Sequence, residues 1–171
     1  MSDEKIKMTY QNLTFNLGEE VFALEILRVR EVLEYTSVTK VPQTPDFMRG
    51  VINLRGSVVP VIDMRLKFGM KQTDQTVNTC IIIVEIAVDE ENTMLGALVD
   101  SVQEVIEFHP GQIEPPPKIG TNLKTDFIKG MGKQEDEFVI ILDVDKIFSA
   151  DELSLVQSVQ DLRVPQEEIA A

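Results

Sequence analysis

Apolar and polar residues alternate at Leu13, Phe15 and Leu17, the period of a strand with one buried face. Gly18-Glu19-Glu20 then turns the chain into a second strand from Val21 to Glu25. The second half opens the same way. A β-branched run from Thr79 to Val88, the acidic loop Asp89-Glu90-Glu91-Asn92 and an apolar stretch from Met94 to Val99 predict another hairpin. In each half a Gly-containing turn separates two further apolar runs: Asn53-Leu54-Arg55-Gly56 in the first, Gly132-Lys133-Gln134-Glu135-Asp136 in the second. With a strand from Val32 to Tyr35, each half carries about five short strands.

Helical spacing is confined to the end of the chain. Leu153, Val156, Val159 and Leu162 recur on one helical face, Ser149 or Asp151 can cap it, and Pro165 stops it, which predicts a helix over 149–164. Ile26 to Val32 and Met64 to Phe68 have room for one turn each, too little to stand alone. Residues 1–7 and 165–171 read as polar tails, and Lys71 to Thr76 as the connector between halves.

The matching patterns are a sequence repeat. Glu31-Val32-Leu33-Glu34-Tyr35 returns as Glu104-Val105-Ile106-Glu107-Phe108, Asp46-Phe47-Met48-Arg49-Gly50-Val51 as Asp126-Phe127-Ile128-Lys129-Gly130-Met131, and Val58-Val59-Pro60-Val61-Ile62-Asp63-Met64 as Phe138-Val139-Ile140-Ile141-Leu142-Asp143-Val144. The offset is 73 residues for the first pair and 80 for the others, so one insertion near Pro115-Pro116-Pro117 accounts for the difference. Such a unit is too long for a solenoid turn, whose period is roughly 20 to 50 residues. It has the length of a small barrel. The expected fold is therefore all-β with a few short helices: one domain over 8–148 made of two five-stranded β-barrel subdomains, about 8–70 and 77–148, followed by the helix. Whether the lobes exchange strands stays open. A seam between two lobes is a natural place to bind another protein.

Charge and cysteine usage narrow the function. The 16 basic and 29 acidic residues give a formal charge of −13 without a basic block, which argues against a nucleic-acid partner and against docking on anionic lipid. The single cysteine, Cys80, rules out an internal disulfide framework and suits a cytosolic chain. The N-terminus lacks a signal-peptide pattern, and no apolar stretch reaches the ~18 residues that span a bilayer.

Groups for catalysis are scarce. His109 precedes Pro110-Gly111 and reads as a surface turn, while Cys80 lies in an apolar run and reads as a small buried hydrophobe. No zinc-ligand spacing and no phosphate-binding glycine loop exist, so neither a metal nor a cofactor is expected. The strongest enzymatic candidate is the repeat-related pair Asp63 and Asp143, which could face each other as the carboxylate dyad of a two-lobed acid hydrolase. The flanking residues Met64-Arg65 and Val144-Asp145 are wrong for that chemistry, and both aspartates fit helix capping better.

Binding surface remains. Arg55 sits in a turn whose counterpart has no arginine, so the shared fold does not explain it. Val29 and Glu31, among Arg28 and Arg30, have the makings of an apolar contact with a polar rim, the alternative being an ordinary half-buried segment. Gly50 and Gly130 match across the repeat and read as positions of positive φ or close packing.

Three segments carry a resemblance: Ala23-Leu24-Glu25-Ile26-Leu27-Arg28-Val29-Arg30-Glu31-Val32, Thr44-Pro45-Asp46-Phe47-Met48-Arg49-Gly50-Val51-Ile52-Asn53-Leu54-Arg55-Gly56, and Val59-Pro60-Val61-Ile62-Asp63-Met64-Arg65. Together they resemble the bacterial chemotaxis coupling protein (CheW) family, and the resemblance runs from about Tyr10 to Val156. It implies two SH3-like five-stranded barrels. It also implies a non-enzymatic cytoplasmic adaptor that joins the cytoplasmic tip of transmembrane chemoreceptors to the regulatory domain of the histidine kinase CheA, recruited to membrane-associated receptor arrays. Receptor contacts are implied at Val29, Glu31 and Arg55, with Gly50 and Val105 at neighbouring positions where changes disturb coupling. Kinase contacts are implied only by region, around Cys80, Ile81 and Ile82 and around Val99 and Val102. Neither a receiver pattern nor an ATP-binding region is found, which favours a free-standing adaptor, monomeric when isolated. The alternative inside this class is a scaffold for a non-chemotactic kinase array.

Overall fold

The computed structural model describes residues 10–88, 91–115 and 127–160. It contains eleven strands and two α-helices in chain order: β1 (Tyr10–Leu17), β2 (Glu20–Glu25), β3 (Val29–Glu34), β4 (Met48–Leu54), β5 (Ser57–Asp63), α1 (Met64–Lys67), β6 (Cys80–Val88), β7 (Glu91–Val99), β8 (Ser101–Phe108), β9 (Ile113–Glu114), β10 (Ile128–Gln134), β11 (Glu137–Leu142) and α2 (Ala150–Gln160). They form a six-stranded sheet of order β8-β1-β2-β11-β10-β9 and a five-stranded sheet of order β3-β6-β7-β5-β4. Neither sheet closes into a barrel, because the outer strands β3 and β4, like β8 and β9, do not pair with each other.

The sheets do not follow the halves of the sequence. The five-stranded sheet is one unbroken stretch, β3 to β7, inserted between the two parts of the six-stranded sheet. The chain changes sheet at the 3-10 turn Ile26–Arg28 and again at Asp100. Boundaries near residues 70 and 77 therefore mark the sequence repeat, while the lobes divide elsewhere and the Lys71 to Thr76 connector lies within one lobe. The links at the crossings are short, three residues after β2 and one after β7, and the parallel ladders of β5 with β7 and of β11 with β2 fix which strands share a lobe.

The repeat is nevertheless present in the register. β4 and β5 pair with Met48 opposite Ile62 and Gly50 opposite Val61, with a bulge between; β10 and β11 pair with Ile128 opposite Leu142 and Gly130 opposite Ile141, with the same bulge. The parallel ladder of β5 with β7 has its counterpart in that of β11 with β2. Exchanging the two halves converts the order β3-β6-β7-β5-β4 into β8-β1-β2-β11-β10, so one supersecondary unit is built twice.

Alternation sends side chains to three cores. Phe15, Phe22 and Leu24 of the six-stranded sheet meet Ile62, Ile82 and Leu95 of the five-stranded sheet in a shared core, which Val156 and Val159 of α2 complete. Ile81, Ile83, Val59 and Val61 fill the interior of one lobe, and Phe108, Val139 and Ile141 that of the other. Ile141 is 4% exposed, so Ile141→Ala is expected to cost about 2 to 5 kcal/mol in chemical denaturation. A loss below about 1 kcal/mol would mean that this lobe's interior collapses around the missing atoms.

Ser149 caps α2 with a reciprocal pair of bonds: its Oγ accepts from the Glu152 N–H at 3.2 Å, and its own N–H donates to Glu152 Oε1 at 2.8 Å. Lys67 holds the helix from the other side. Its Nζ lies 3.0 Å from both Glu152 oxygens and 5.0 and 5.5 Å from the ring centroids of Phe47 and Phe148. Leu162, Pro165, both tails, Asp89 and Glu90, and Pro116 and Pro117 lie outside the described residues. Glu91 and Asn92, expected in the acidic loop, already belong to β7.

Candidate functional site

Val29, Glu31 and Arg55 converge on one shallow groove, with Arg30, Leu54, Ser57 and Met94 completing the described lining. A bulge between Val29 and Glu31 in the pairing of β3 with β6 sets the local register. Arg55 and Gly56 form the two-residue turn of the β4–β5 hairpin at φ of +53° and +88°, the left-handed pair a type I′ turn requires. Asn53 Oδ1 accepts the Gly56 N–H at 2.8 Å and fixes the turn. Glu135 in the matching turn has the same φ of +53°, so the conformation belongs to the repeated fold and only the arginine side chain is particular to this groove.

The Arg55 guanidinium donates to both oxygens of Glu31, Nη1 to Oε2 at 2.5 Å and Nη2 to Oε1 at 3.1 Å. This fork brings the tip of the β4–β5 hairpin against β3, the opposite edge of the same sheet. The hydrogen bond from Arg55 holds the Glu31 carboxyl below its ordinary range, and Glu31 in turn raises Arg55. The Arg55 side chain remains 73% exposed despite the pair, which leaves most of its donor surface open to a partner. A half-buried valine, leucine and methionine beside a forked ion pair make an apolar floor with a charged rim.

Gly50 and Val105 lie apart from this lining. Gly50 is buried, with φ +146°, and a Cβ there would stand 2.1 Å from the Thr39 carbonyl oxygen, so its role is to let the 38–39 segment close on β4. Val105 is 49% exposed on β8, the edge of the other sheet; its repeat counterpart Val32 is 41% exposed on β3. Of the residues expected at the kinase contact, Ile81, Ile82 and Val99 are core side chains with at most 1% exposure, which takes them off the surface. The inward alternation of β6 and β7 against two cores is the reason. Cys80, at the start of β6, and Val102, on β8 of the other sheet, are half-buried. Cys80 pairs with Glu34 in the ladder where Val29 pairs with Val84, so this end and the groove are about 13 Å apart along the strands.

Sequence reading missed Leu54, Ser57 and Met94. Leu54 and Ser57 flank the singled-out turn and were within reach, whereas Met94 reaches the groove because its hairpin pairs with β3 and β5, long-range ladders that no local pattern encodes.

The enzymatic alternative loses its geometry. Asp63 accepts the Leu66 N–H at 3.3 Å and pairs with Arg49 at 3.0 Å in one lobe, and Asp143 accepts the Asp145 N–H at 3.1 Å in the other. Each caps the turn that follows its own strand. Burial pushes the Cys80 thiol up, away from a reactive thiolate. His109 is exposed ahead of the turn Pro110–Gln112, its N–H donating to Gln112 Oε1. Among the described residues no group of three or more His, Cys, Asp or Glu is placed to hold a metal ion, and no helix is long and apolar enough to cross a membrane.

Two ion pairs fasten the lobes where the chain crosses between them. Asp100 accepts from Arg65 Nε at 2.7 Å, from Arg65 Nη2 at 2.5 Å and from the Gly18 N–H at 2.8 Å. At the other crossing the charges are reversed: Arg28 pairs with Asp145, whose second oxygen accepts the Ala87 N–H at 3.0 Å. Burial pushes both carboxyls up, but the bonds from Arg65 and Arg28, together with those backbone N–H groups, outweigh it and hold both below the ordinary range. A carboxyl whose folded pKa is depressed stabilises the fold above its unfolded pKa, about 4, and that contribution disappears as pH falls through the folded value. The urea midpoint is therefore expected to drop below about pH 4, and Asp100→Asn to show a smaller drop over the same range. Equal acid sensitivity in the two proteins would remove Asp100 from this account.

Comparison with known proteins gives the family. The family model for the CheW-like domain matches residues 11–152. The chemotaxis protein CheW of Klebsiella aerogenes is 36% identical over 147 residues, 86% of either chain, and that of Helicobacter pylori is 35% identical over 141 residues, 82% of either chain. The crystal structure of the scaffolding protein TtCheW from Thermoanaerobacter tengcongensis matches with a TM-score of 0.73 and 39% identity, covering 83% of this chain and 94% of that one. The chain thus belongs to the CheW-like family of chemotaxis scaffolds, which are non-enzymatic adaptors.

Proposed function

We propose that this chain couples the cytoplasmic tips of methyl-accepting chemoreceptors to the regulatory domain of the histidine kinase CheA, using the Arg55 groove for the receptor and the Cys80 to Val102 end for the kinase. It works in the cytoplasm at membrane-associated arrays, and its two open sheets are variants of the SH3-like barrel. The observation that carries this reading is the convergence of Val29, Glu31 and Arg55 on one groove, with the guanidinium largely exposed. An apolar floor with a cationic rim suits a partner face that carries apolar anchors and an acidic or carbonyl-rich flank. Gly50 acts on this surface indirectly, by shaping the hairpin that presents Arg55. Cys80 and Val102 supply side-chain contacts at the kinase end, while Ile81, Ile82 and Val99 give it rigidity from beneath. Val105 belongs to a further exposed edge on the second lobe.

Co-sedimentation with receptor cytoplasmic fragments and kinase tests this. The expected result is a ternary pellet with raised kinase activity that depends on the chain. Binding to neither partner, or binding without any change in kinase activity, would end the proposal.

A further inference from the structure

The repeat gives each interior position of one lobe a counterpart in the other, and the two interiors are filled differently. Ladder register places Asn12 opposite Glu25 in β1 and β2, where β6 and β7 place Ile81 opposite Leu98. The parallel ladders fix this correspondence, since Ala23 lies beside Ile141 as Gly96 lies beside Val61. In the five-stranded lobe Ile81 and Leu98 are packed core residues. In the six-stranded lobe Asn12 and Glu25 stand in their place. The space beside them is a cleft of about 250 Å³, whose lining includes Pro110, Ile113, Lys129, Gly130 and Ile141 as well as these two residues.

We propose that this cleft receives a leucine- or isoleucine-sized side chain from an extended segment of a partner protein. The inserted group takes the place that Ile81 and Leu98 fill in the other lobe, against Ile141 and Ile113. Size selects the occupant: drug-sized ligands use pockets of about 300 to 1,000 Å³, whereas a cavity of about 150 Å³ already holds a benzene. Charge selects its setting. Lys129 Nζ and Glu25 Oε2, 3.0 Å apart, offer a donor and an acceptor together, the complement of the C=O and N–H flanking a side chain on an extended backbone. A buried aliphatic anchor inside a polar rim is the arrangement that concentrates binding energy at protein interfaces. The cleft uses none of the groove residues, so it stands or fails apart from the receptor reading.

The test is a methyl NMR titration of the whole protein, isoleucine-labelled, with the capped peptide N-acetyl-Ala-Leu-Ala-amide, beside N-acetyl-Ala-Ala-Ala-amide and isobutanol. Saturable shifts at Ile113 and Ile141 with the leucine peptide, and not with the alanine peptide, are expected. Filling the cleft with the other lobe's residues, Asn12→Ile with Glu25→Leu, should weaken that binding at least about tenfold. If that pair disturbs folding, Ile113→Phe narrows the cleft from its half-buried wall and should have the same effect. Equal response to both peptides, absence of saturable shifts, or undiminished binding by a filled variant overturns the proposal. So does saturation by isobutanol without the peptide, which marks a small-molecule pocket, or a shift on dilution alone, which marks a second copy of the chain.

Discussion

Gly50→Ala is expected to destabilise the protein by about 3 kcal/mol or more, since left-handed strain and overpacking each cost about 1 to 3 kcal/mol and act together here. The residue holds φ +146°, and its new Cβ would meet Thr39 O at 2.1 Å, Thr39 C at 2.6 Å and Val38 Cγ1 at 2.8 Å. Two of those three atoms are backbone, and that backbone is pinned: the Thr39 N–H donates to Val51 O at 2.9 Å and the Val51 N–H to Thr39 O at 2.8 Å. Nothing can retreat without breaking this bridge. Gly56→Ala is the matched control, because φ there is +88° but no atom lies within 4 Å of the added carbon. Urea denaturation of both variants should show the larger loss at Gly50 by a clear margin. A loss below about 1 kcal/mol at Gly50 would contradict the packing described. Any weakening of receptor coupling in Gly50→Ala should accordingly follow the loss of folded hairpin.

How much of this was legible beforehand depended on range. The Leu13, Phe15, Leu17 alternation and the Asn53 to Gly56 turn are local signals, and strand and turn stand where they predict. The repeat was legible because duplicated strands keep duplicated patterns, down to the shared bulge before Gly50 and Gly130. Lobe membership was not. It is decided by parallel ladders such as Val61 beside Gly96, whose partners lie far apart in sequence and leave no periodic trace. The same limit hid the interior facing of Ile81, Ile82 and Val99, since a strand buried on both faces reads as a plain apolar run. It also hid the Arg65 to Asp100 and Arg28 to Asp145 pairs, which join residues that only the fold brings together. Val29, Glu31 and Arg55 were reachable because resemblance supplied a grouping that spacing alone could not.

Arg55→Glu is expected to leave folding intact while weakening receptor binding at least about tenfold. Folding is protected by a precedent inside the chain: Glu135 occupies the equivalent turn position at the same φ of +53°. The ion pair with Glu31 is lost and a like-charge contact replaces it, but both groups are solvent-facing, where such terms are small and screened. The thermal midpoint should therefore hardly move. Binding is expected to differ, because a receptor seated at the proposed contact would desolvate the rim and meet a reversed charge with its acidic or carbonyl-rich surface. Adding Glu31→Arg separates the two roles of Arg55. The double variant restores an ion pair with its charges exchanged, so a purely structural pair predicts recovery of binding, whereas a direct cation contact predicts that binding stays weak.

The most direct test of separate receptor and kinase surfaces is to measure both affinities of Arg55→Glu side by side, each partner supplied without the other. The groove and the proposed kinase end are separated along the sheet, so at least about a tenfold loss is expected for the receptor fragment, with kinase binding unchanged within about twofold. Equal loss of both affinities, or full receptor affinity with the charge reversed, would contradict it.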